Sequence, residues 1–310
     1  MTKRLKGVLA PVVTPFTRDL APDAKRFVRH CKWLLEHGCS GLAVFGTNSE
    51  ANSLSAEERM LLLEELVQAG VPAEKLMPGT GCCALTDSVR LTAHAVKIGC
   101  AGVLMLPPFY YKGVPDEGLY RNFAEVIERV GDARLQLYLY HIPPVAQVPI
   151  TLGLIERLLA RYPKIVAGIK DSSGDWSNTQ AVLDAFVEKG GKQSFDVFAG
   201  SEVFLLRNMR AGGVGCITAG ANVNPHGIDK AYRGWQSPDA ETLQASIDAV
   251  RKILQLQVSM IPALKATIAH HAGDADWARV RPPLVELTAG EQAGMVKALQ
   301  GAGFEMPGIK

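Results

Sequence analysis

The chain has 310 residues, 47% of them hydrophobic, enough to bury a large core without disulfide or metal staples. Its 33 basic and 31 acidic residues leave a formal net charge of +2, so neither a nucleic-acid partner nor an anionic membrane surface is expected. A small neutral or anionic ligand fits this balance better.

The cysteines (Cys31, Cys39, Cys82, Cys83, Cys100 and Cys216) include no C-x-x-C pair and no histidines at metal-ligand spacing. They read as reduced thiols, against a zinc site or a disulfide framework. Met1 to Gly7 is polar and basic and lacks the apolar core of a signal peptide. No apolar run reaches the roughly 18 residues needed to span a bilayer. A cytoplasmic location is the expectation.

From the beginning, short apolar runs alternate with amphipathic segments, the pattern of parallel βα units. A strand-like run from Gly7 to Phe16 precedes a helical segment from about Ala24 to His37, which Gly38 stops. Gly41 to Gly46 is the next strand, and its helix begins at Ser55, where Ser55 and Glu58 form a capping-box signature. Further strands are expected at Lys75 to Gly81, Gly102 to Pro108, Arg134 to Pro143, Ile165 to Ser173, Phe195 to Gly200 and Val214 to Gly220. Between them lie helices starting near Asp87, Glu117, Leu152, Trp176, Val203 and Pro225, several of them ending in glycine, as at Gly70, Gly99, Gly131 and Gly212. The alternation predicts an α/β fold, a (β/α)8 TIM barrel over residues 1–235, with a C-terminal helical appendage over 236–310. Within the appendage, Ile253 to Leu264 is apolar at helical spacing and reads as a packing surface, and Arg281-Pro282-Pro283 as a connection between helices.

In such a barrel the reacting groups belong at the C-terminal ends of the strands, because the βα loops build the open face and side chains fill the interior. Lys170 meets that rule. The run Ile165-Val166-Ala167-Gly168-Ile169 leads straight into it, and loss of hydration at a buried strand end favours the neutral amine that attacks carbonyls. The plainer reading is a barrel-end lysine paired with Asp171. Tyr140 ends the preceding strand, about 4.8 Å away across the sheet, where a phenol can give and take the protons of imine chemistry; its plainer reading is an aromatic core residue. After Gly46, the small polar residues Thr47, Asn48 and Ser49 can aim hydroxyls and backbone N–H groups at a carboxylate.

Taken in order, Pro11 to Phe16, Gly46 to Glu50, Gly79-Thr80-Gly81, Pro107 to Tyr111, Tyr140 to Pro143, Gly168 to Gly174, Gly200, Ala221-Asn222-Val223 and Arg281-Pro282-Pro283 resemble the dihydrodipicolinate synthase and N-acetylneuraminate lyase family of pyruvate-dependent aldolases. The resemblance implies that Lys170 forms a Schiff base with a 2-oxo acid, that Tyr140 is the general acid/base, and that Thr47 with the Asn48 amide relays protons and holds the carboxylate. Gly46, Gly200, Ser201 and Thr218 complete the expected substrate-binding set. Tyr110 and Tyr111 resemble the family's tyrosine pair, one of which reaches a neighbouring subunit's site, so a homo-oligomer, tetramer or dimer, is implied. No cofactor or metal is implied, because the iminium is itself the electron sink.

Departures from the family pattern narrow the expectation. Where dihydrodipicolinate synthases carry an arginine two residues after the tyrosine motif's proline, this chain has Val145, which supplies no guanidinium fork. Asn48-Ser49 replaces the usual Thr-Gly pair, and Ser201-Glu202-Val203 only partly matches the sugar-binding acids of sialic acid lyases. Lys170-Asp171-Ser172 and Gly200-Ser201 look more like the branch acting on 4-hydroxy-2-oxoglutarate and 2-oxo-3-deoxy sugar acids. The expected activity is therefore aldol cleavage, condensation or dehydration of a hydroxylated 2-oxo acid. The alternatives are a true 4-hydroxy-tetrahydrodipicolinate synthase and a barrel retained for binding or regulation. A metallohydrolase fits poorly, since only His141 and His226 fall near strand ends.

Overall fold

The computed structural model describes residues 4–187, 195–257 and 259–309. Residues 1–3 of the basic N-terminal stretch and Val258 of the apolar run in the appendage lie outside them. Seven parallel strands form one curled sheet: β1 (Gly7–Ala10), β2 (Gly41–Leu42), β3 (Val103–Met105), β4 (Leu137–His141), β5 (Val166–Asp171), β6 (Asp196–Ala199) and β7 (Gly215–Ile217). Their order is β2-β1-β7-β6-β5-β4-β3.

The two edges of that sheet are joined by the segment 76–79, which bridges Leu42 to Leu76 on one side and Gly79 to Leu104 on the other. The amides of Met77 and Gly79 donate to the carbonyls of Leu42 and Val44 at 2.8 and 2.7 Å, and Leu104 donates to Pro78 at 2.9 Å. This segment stands where the sequence predicts the third strand. Pro78 has no N–H, so the ladder is broken into two bridges instead of a continuous strand. A Cβ on Gly79 would lie 2.2 Å from the Phe45 carbonyl oxygen, so glycine is needed for the chains to approach. The fold is a (β/α)8 barrel with a C-terminal helical part.

The helices α1 (Ala24–Glu36), α2 (Ala56–Gln68), α3 (Leu85–Ile98), α4 (Asp116–Val130), the short α5 (Pro143–Ala146), α6 (Leu152–Arg161), α7 (Trp176–Phe186), α8 (Leu205–Arg210) and α9 (Pro225–Arg233) follow the strands. The predicted capping box at α2 is present: Glu58 N donates to Ser55 Oγ at 3.1 Å and Ser55 N to Glu58 Oε2 at 2.9 Å. Three more helices, α10 (Ala240–Gln255), α11 (Met260–Ala272) and α12 (Ala289–Gly301), complete the chain.

Observed strands are shorter than expected, for local reasons. β1 ends before Pro11, and Phe45, with φ of 59°, turns the chain out of the sheet after β2. The segment expected to begin a helix at Val203 is a 3-10 turn over Glu202–Phe204, with α8 starting after it.

Period-2 alternation decides which side chains face inward. On β4, Leu137 and Leu139 pack outward against the helices, whereas Tyr138 and Tyr140 join Leu9, Ala43, Met77, Leu104, Phe198 and Ile217 inside the barrel. β5 needs a correction to this alternation. Its pairing with β4 shifts from Leu137↔Val166 to Tyr138↔Gly168, which leaves Ala167 as the extra residue of a β-bulge. Without that bulge a strict alternation from outward Val166 would send Lys170 outward too. With it, Ile169 faces the helices and Lys170 faces in, paired with Tyr140.

Candidate active site

Lys170 and Tyr140 are register partners on β5 and β4, and both are buried, each 3% exposed. The Lys170 amine lies 4.2 Å from the centre of the Tyr140 ring. The Tyr140 hydroxyl is 3.2 Å from Thr47 Oγ1, so the ring that carries the amine on its face is hydrogen-bonded at its far end to the threonine hydroxyl. Among the described residues no carboxylate forms an ion pair with Lys170. The strand-end pairing with Asp171 is therefore not what the structure contains. Adjacent strand residues face opposite sides, and Asp171 points away, accepting from Thr179 Oγ1 at 2.6 Å, Asn178 Nδ2 at 3.0 Å and Ser173 N at 2.9 Å.

Thr47 sits in a single 3-10 turn, Thr47–Ser49, entered from the left-handed Phe45. Ser49 explains part of the Asn48-Ser49 departure. Its hydroxyl accepts from Gly46 N at 3.2 Å and donates to the Val12 carbonyl, and Thr14 Oγ1 donates to the Ser49 carbonyl at 2.8 Å. Ser49 thus ties the turn to the chain following β1, while Asn48 is left facing the cavity. Glu50 follows with φ of 55° and a buried carboxylate, which takes the Lys265 ammonium at 2.5 Å and Arg281 N at 2.9 Å. The turn carrying Thr47 is thereby fixed to α11 and to the Arg281 segment. Burial pushes the Lys265 ammonium down to about 8 against the pull of Glu50.

These groups open into a cavity of about 540 Å³ lined by Thr47, Asn48, Tyr140, Lys170, Gly200 and Ser201 among others. Gly46 lies behind them, at a small gap it shares with Tyr140. Thr218 does not reach the cavity: it is wholly buried, its hydroxyl donating to the Glu202 carboxylate and accepting from Glu202 N at 3.1 Å. Tyr110 and Tyr111 also lie off the cavity, 73% and 72% exposed and in edge contact with each other at 5.3 Å.

Residues from the C-terminal helices line the same cavity and were not anticipated: Arg251, Gln255, Ser259, Met260 and Ile261. The apolar run Ile253 to Leu264 is accordingly split. Leu254, Ala263 and Leu264 are fully buried in the chain's own core, Met260 and Ile261 face the cavity, and Leu256 is 74% exposed. Sequence spacing gave no signal for Arg251, which with Lys252 reads as part of the solvated face of an amphipathic helix.

His141 serves the loop after β4, its Nδ1 accepting from Ile150 N at 3.0 Å, and burial holds its pKa below the usual histidine value. Among the described residues there is no group of three or more His, Cys, Asp and Glu placed to hold a metal ion. None of their helices is long and apolar enough to cross a membrane.

The sequence pattern of the dihydrodipicolinate synthetase family matches residues 4–302. The chain belongs to that family. A DapA-like lyase of Chloroflexus aurantiacus is 32% identical over 298 residues, 95% of this chain and 96% of that one. A probable 2-dehydro-3-deoxy-D-pentonate aldolase of Escherichia coli is 30% identical over 255 residues, 82% and 81% of the two chains. Among solved structures, a prophage protein of the dihydrodipicolinic acid synthase family from E. coli K12, in complex with pyruvate, superposes with a TM-score of 0.86 at 25% identity, covering 96% of this chain and 99% of that one. Membership of the dihydrodipicolinate synthetase family makes the chain a lyase.

Proposed function

We propose that the chain is a class I lyase that binds a hydroxylated 2-oxo acid as a Schiff base on Lys170 and breaks or forms the bond beyond its oxo carbon. The observation that carries this reading is the buried pairing of Lys170 with Tyr140, the amine 4.2 Å from the ring centre, together with the Tyr140 hydroxyl 3.2 Å from Thr47 Oγ1, at the mouth of the barrel. The neutral amine adds to the 2-oxo carbon, and the carbinolamine loses water to give an iminium. In aldol cleavage a proton leaves the C4 hydroxyl, the C3–C4 bond breaks towards the iminium, and an aldehyde departs, leaving an enamine. Protonation at C3 and hydrolysis release pyruvate and restore the amine. Tyr140, backed by Thr47, carries the protons. The iminium accepts the electron pair, so this reading needs neither metal nor cofactor.

Pyruvate as the half retained on Lys170 is supported by the pyruvate bound in the E. coli relative of the same fold. A 4-hydroxy-2-oxoglutarate or 2-oxo-3-deoxy sugar acid as the whole substrate is supported by the aldolase relative, and by Val145, which lines the cavity where dihydrodipicolinate synthases carry their arginine. Tyr110 and Tyr111, exposed as a pair, support a homo-oligomer in which one of them completes a neighbouring site. Six unpaired thiols support a reducing, cytoplasmic setting.

Release of pyruvate from a panel of hydroxylated 2-oxo acids, followed by coupled reduction to lactate, tests the reading. Turnover of at least one member is expected, lost in Lys170→Ala. Turnover that persists in that variant would contradict the Schiff-base step.

A further inference from the structure

Arg251, on α10, reaches the cavity wall from outside the barrel. Its side chain is only 12% exposed and its one ion-pair partner among the described residues is Glu202, at 3.0 Å from Nη1 to Oε2. Nε is buried with no hydrogen-bond partner among them. The guanidinium is therefore held at one corner, with donors left over beside a cavity. Glu202 is a rigid backing. It is 2% exposed, Thr218 Oγ1 donates to it, Gln244 Nε2 donates to its carbonyl at 2.9 Å, and a Cβ on residue 220 would lie 1.9 Å from its Oε1, so Gly220 is what makes room for it.

The charges around the cavity point one way. Besides the Tyr140 phenol, its ionisable lining residues are Lys170, Asp171 and Arg251. Asp171 spends its oxygens on Thr179, Asn178 and Ser173, and Glu202 is not among the cavity residues. A ligand joined to Lys170 therefore extends from a cationic or neutral imine towards a planar cation with free donors, flanked by Ser201, Gln255 and Ser259. A guanidinium with unused N–H groups selects a carboxylate over a hydroxyl, because only the former offers two charged acceptors to the fork.

We propose that Arg251 is a specificity-determining residue that receives a distal carboxylate, so that the preferred substrates are 2-oxo acids carrying a second carboxyl group at the far end. This rests on the Schiff-base reading of Lys170. It places the anion-reading residue on a C-terminal helix, on a different element from the one that holds Val145.

Borohydride trapping on Lys170, read by intact mass, tests the assignment with matched pairs of unreactive probes: 2-oxoglutarate against 2-oxopentanoate, and 2-oxoadipate against 2-oxohexanoate. In each pair the chain length is the same and only the terminal carboxylate differs. The wild-type protein is expected to half-saturate with at least one dicarboxylate at a concentration at least tenfold below that of its partner. In Arg251→Met that advantage falls below threefold, and in Arg251→Lys, which keeps the charge without the fork, it is partly retained. Because Arg251→Met strands the buried Glu202, the double variant Glu202→Gln/Arg251→Met carries the same comparison without a lone carboxylate. Equal half-saturation within both pairs in the wild-type protein, or an advantage that survives both Met variants, overturns the assignment. Absence of any adduct, with pyruvate included, instead overturns the Schiff-base reading, and the role of Arg251 falls with it.

Discussion

Replacing Lys265 by methionine exposes how the site loop is held. Lys265 and Glu50 have fully buried side chains, and their 2.5 Å ion pair lies at the end of the turn carrying Thr47. Deleting the ammonium leaves Glu50 with the Arg281 amide, at 2.9 Å, as its other donor among the described residues. Breaking a buried pair from one side costs about 3–5 kcal/mol, because the remaining charge is desolvated and uncompensated. Glu50→Gln/Lys265→Met leaves no charge and a similar volume, so its cost should be about 1 kcal/mol and, with each single variant costing about 3–5 kcal/mol, the coupling energy about 5–9 kcal/mol. Urea denaturation of the wild-type protein, the two single variants and the double variant at pH 7.5 measures the cycle. Additive single effects, or a single-variant loss under about 1 kcal/mol, would show that the pair is not an interdependent buried unit.

Three other outcomes follow from individual contacts. Gly168→Ala puts a methyl 2.2 Å from the Asp196 carbonyl oxygen and 2.9 Å from the Tyr138 ring, so the bulge that aims Lys170 inward must shift; a loss of about 3 kcal/mol is expected in urea denaturation, and wild-type stability would refute the bulge. Thr47→Val removes the hydroxyl 3.2 Å from Tyr140 while keeping its shape, and should lower kcat about tenfold, the worth of one hydrogen bond; an unchanged kcat would remove Thr47 from the proton path. Burial pushes His30 down to about 3, against a smaller upward pull from Asn222, from its ordinary 6.5. The unfolded chain then binds a proton that the folded chain refuses, so this stabilisation is complete above pH 6.5 and is lost as the pH falls from 6.5 towards 3. At pH 4.5 the loss should be about 3 kcal/mol relative to pH 7.5, and His30→Phe should flatten that slope in urea denaturation.

Much of the barrel can be read from the chain because its cause is local. The alternation Leu137, Tyr138, Leu139, Tyr140 already separates an outward face from an inward one, and the apolar run before Lys170 marks a buried strand end. What escapes such reading depends on partners distant in sequence. The bulge at Ala167 exists only against β4, and without it the alternation would point Lys170 the wrong way. The interruption at Pro78 is visible as a missing donor, yet that two bridges suffice to close the sheet depends on β2 and β3 flanking it. Asp171 looks like a partner for Lys170 because it is adjacent, but adjacency in a strand means opposite faces. Arg251 carries no periodic signature, and its place in the site comes from how α10 packs across the barrel mouth.

The Schiff base itself is the central claim, and sodium borohydride reduction in the presence of pyruvate reads it directly. Intact mass spectrometry should show a single covalent adduct of reduced pyruvate, peptide mapping should place it on Lys170, and Lys170→Arg should abolish it. A wild-type protein that gains no adduct, or gains it on Lys265 or another lysine, would contradict the account.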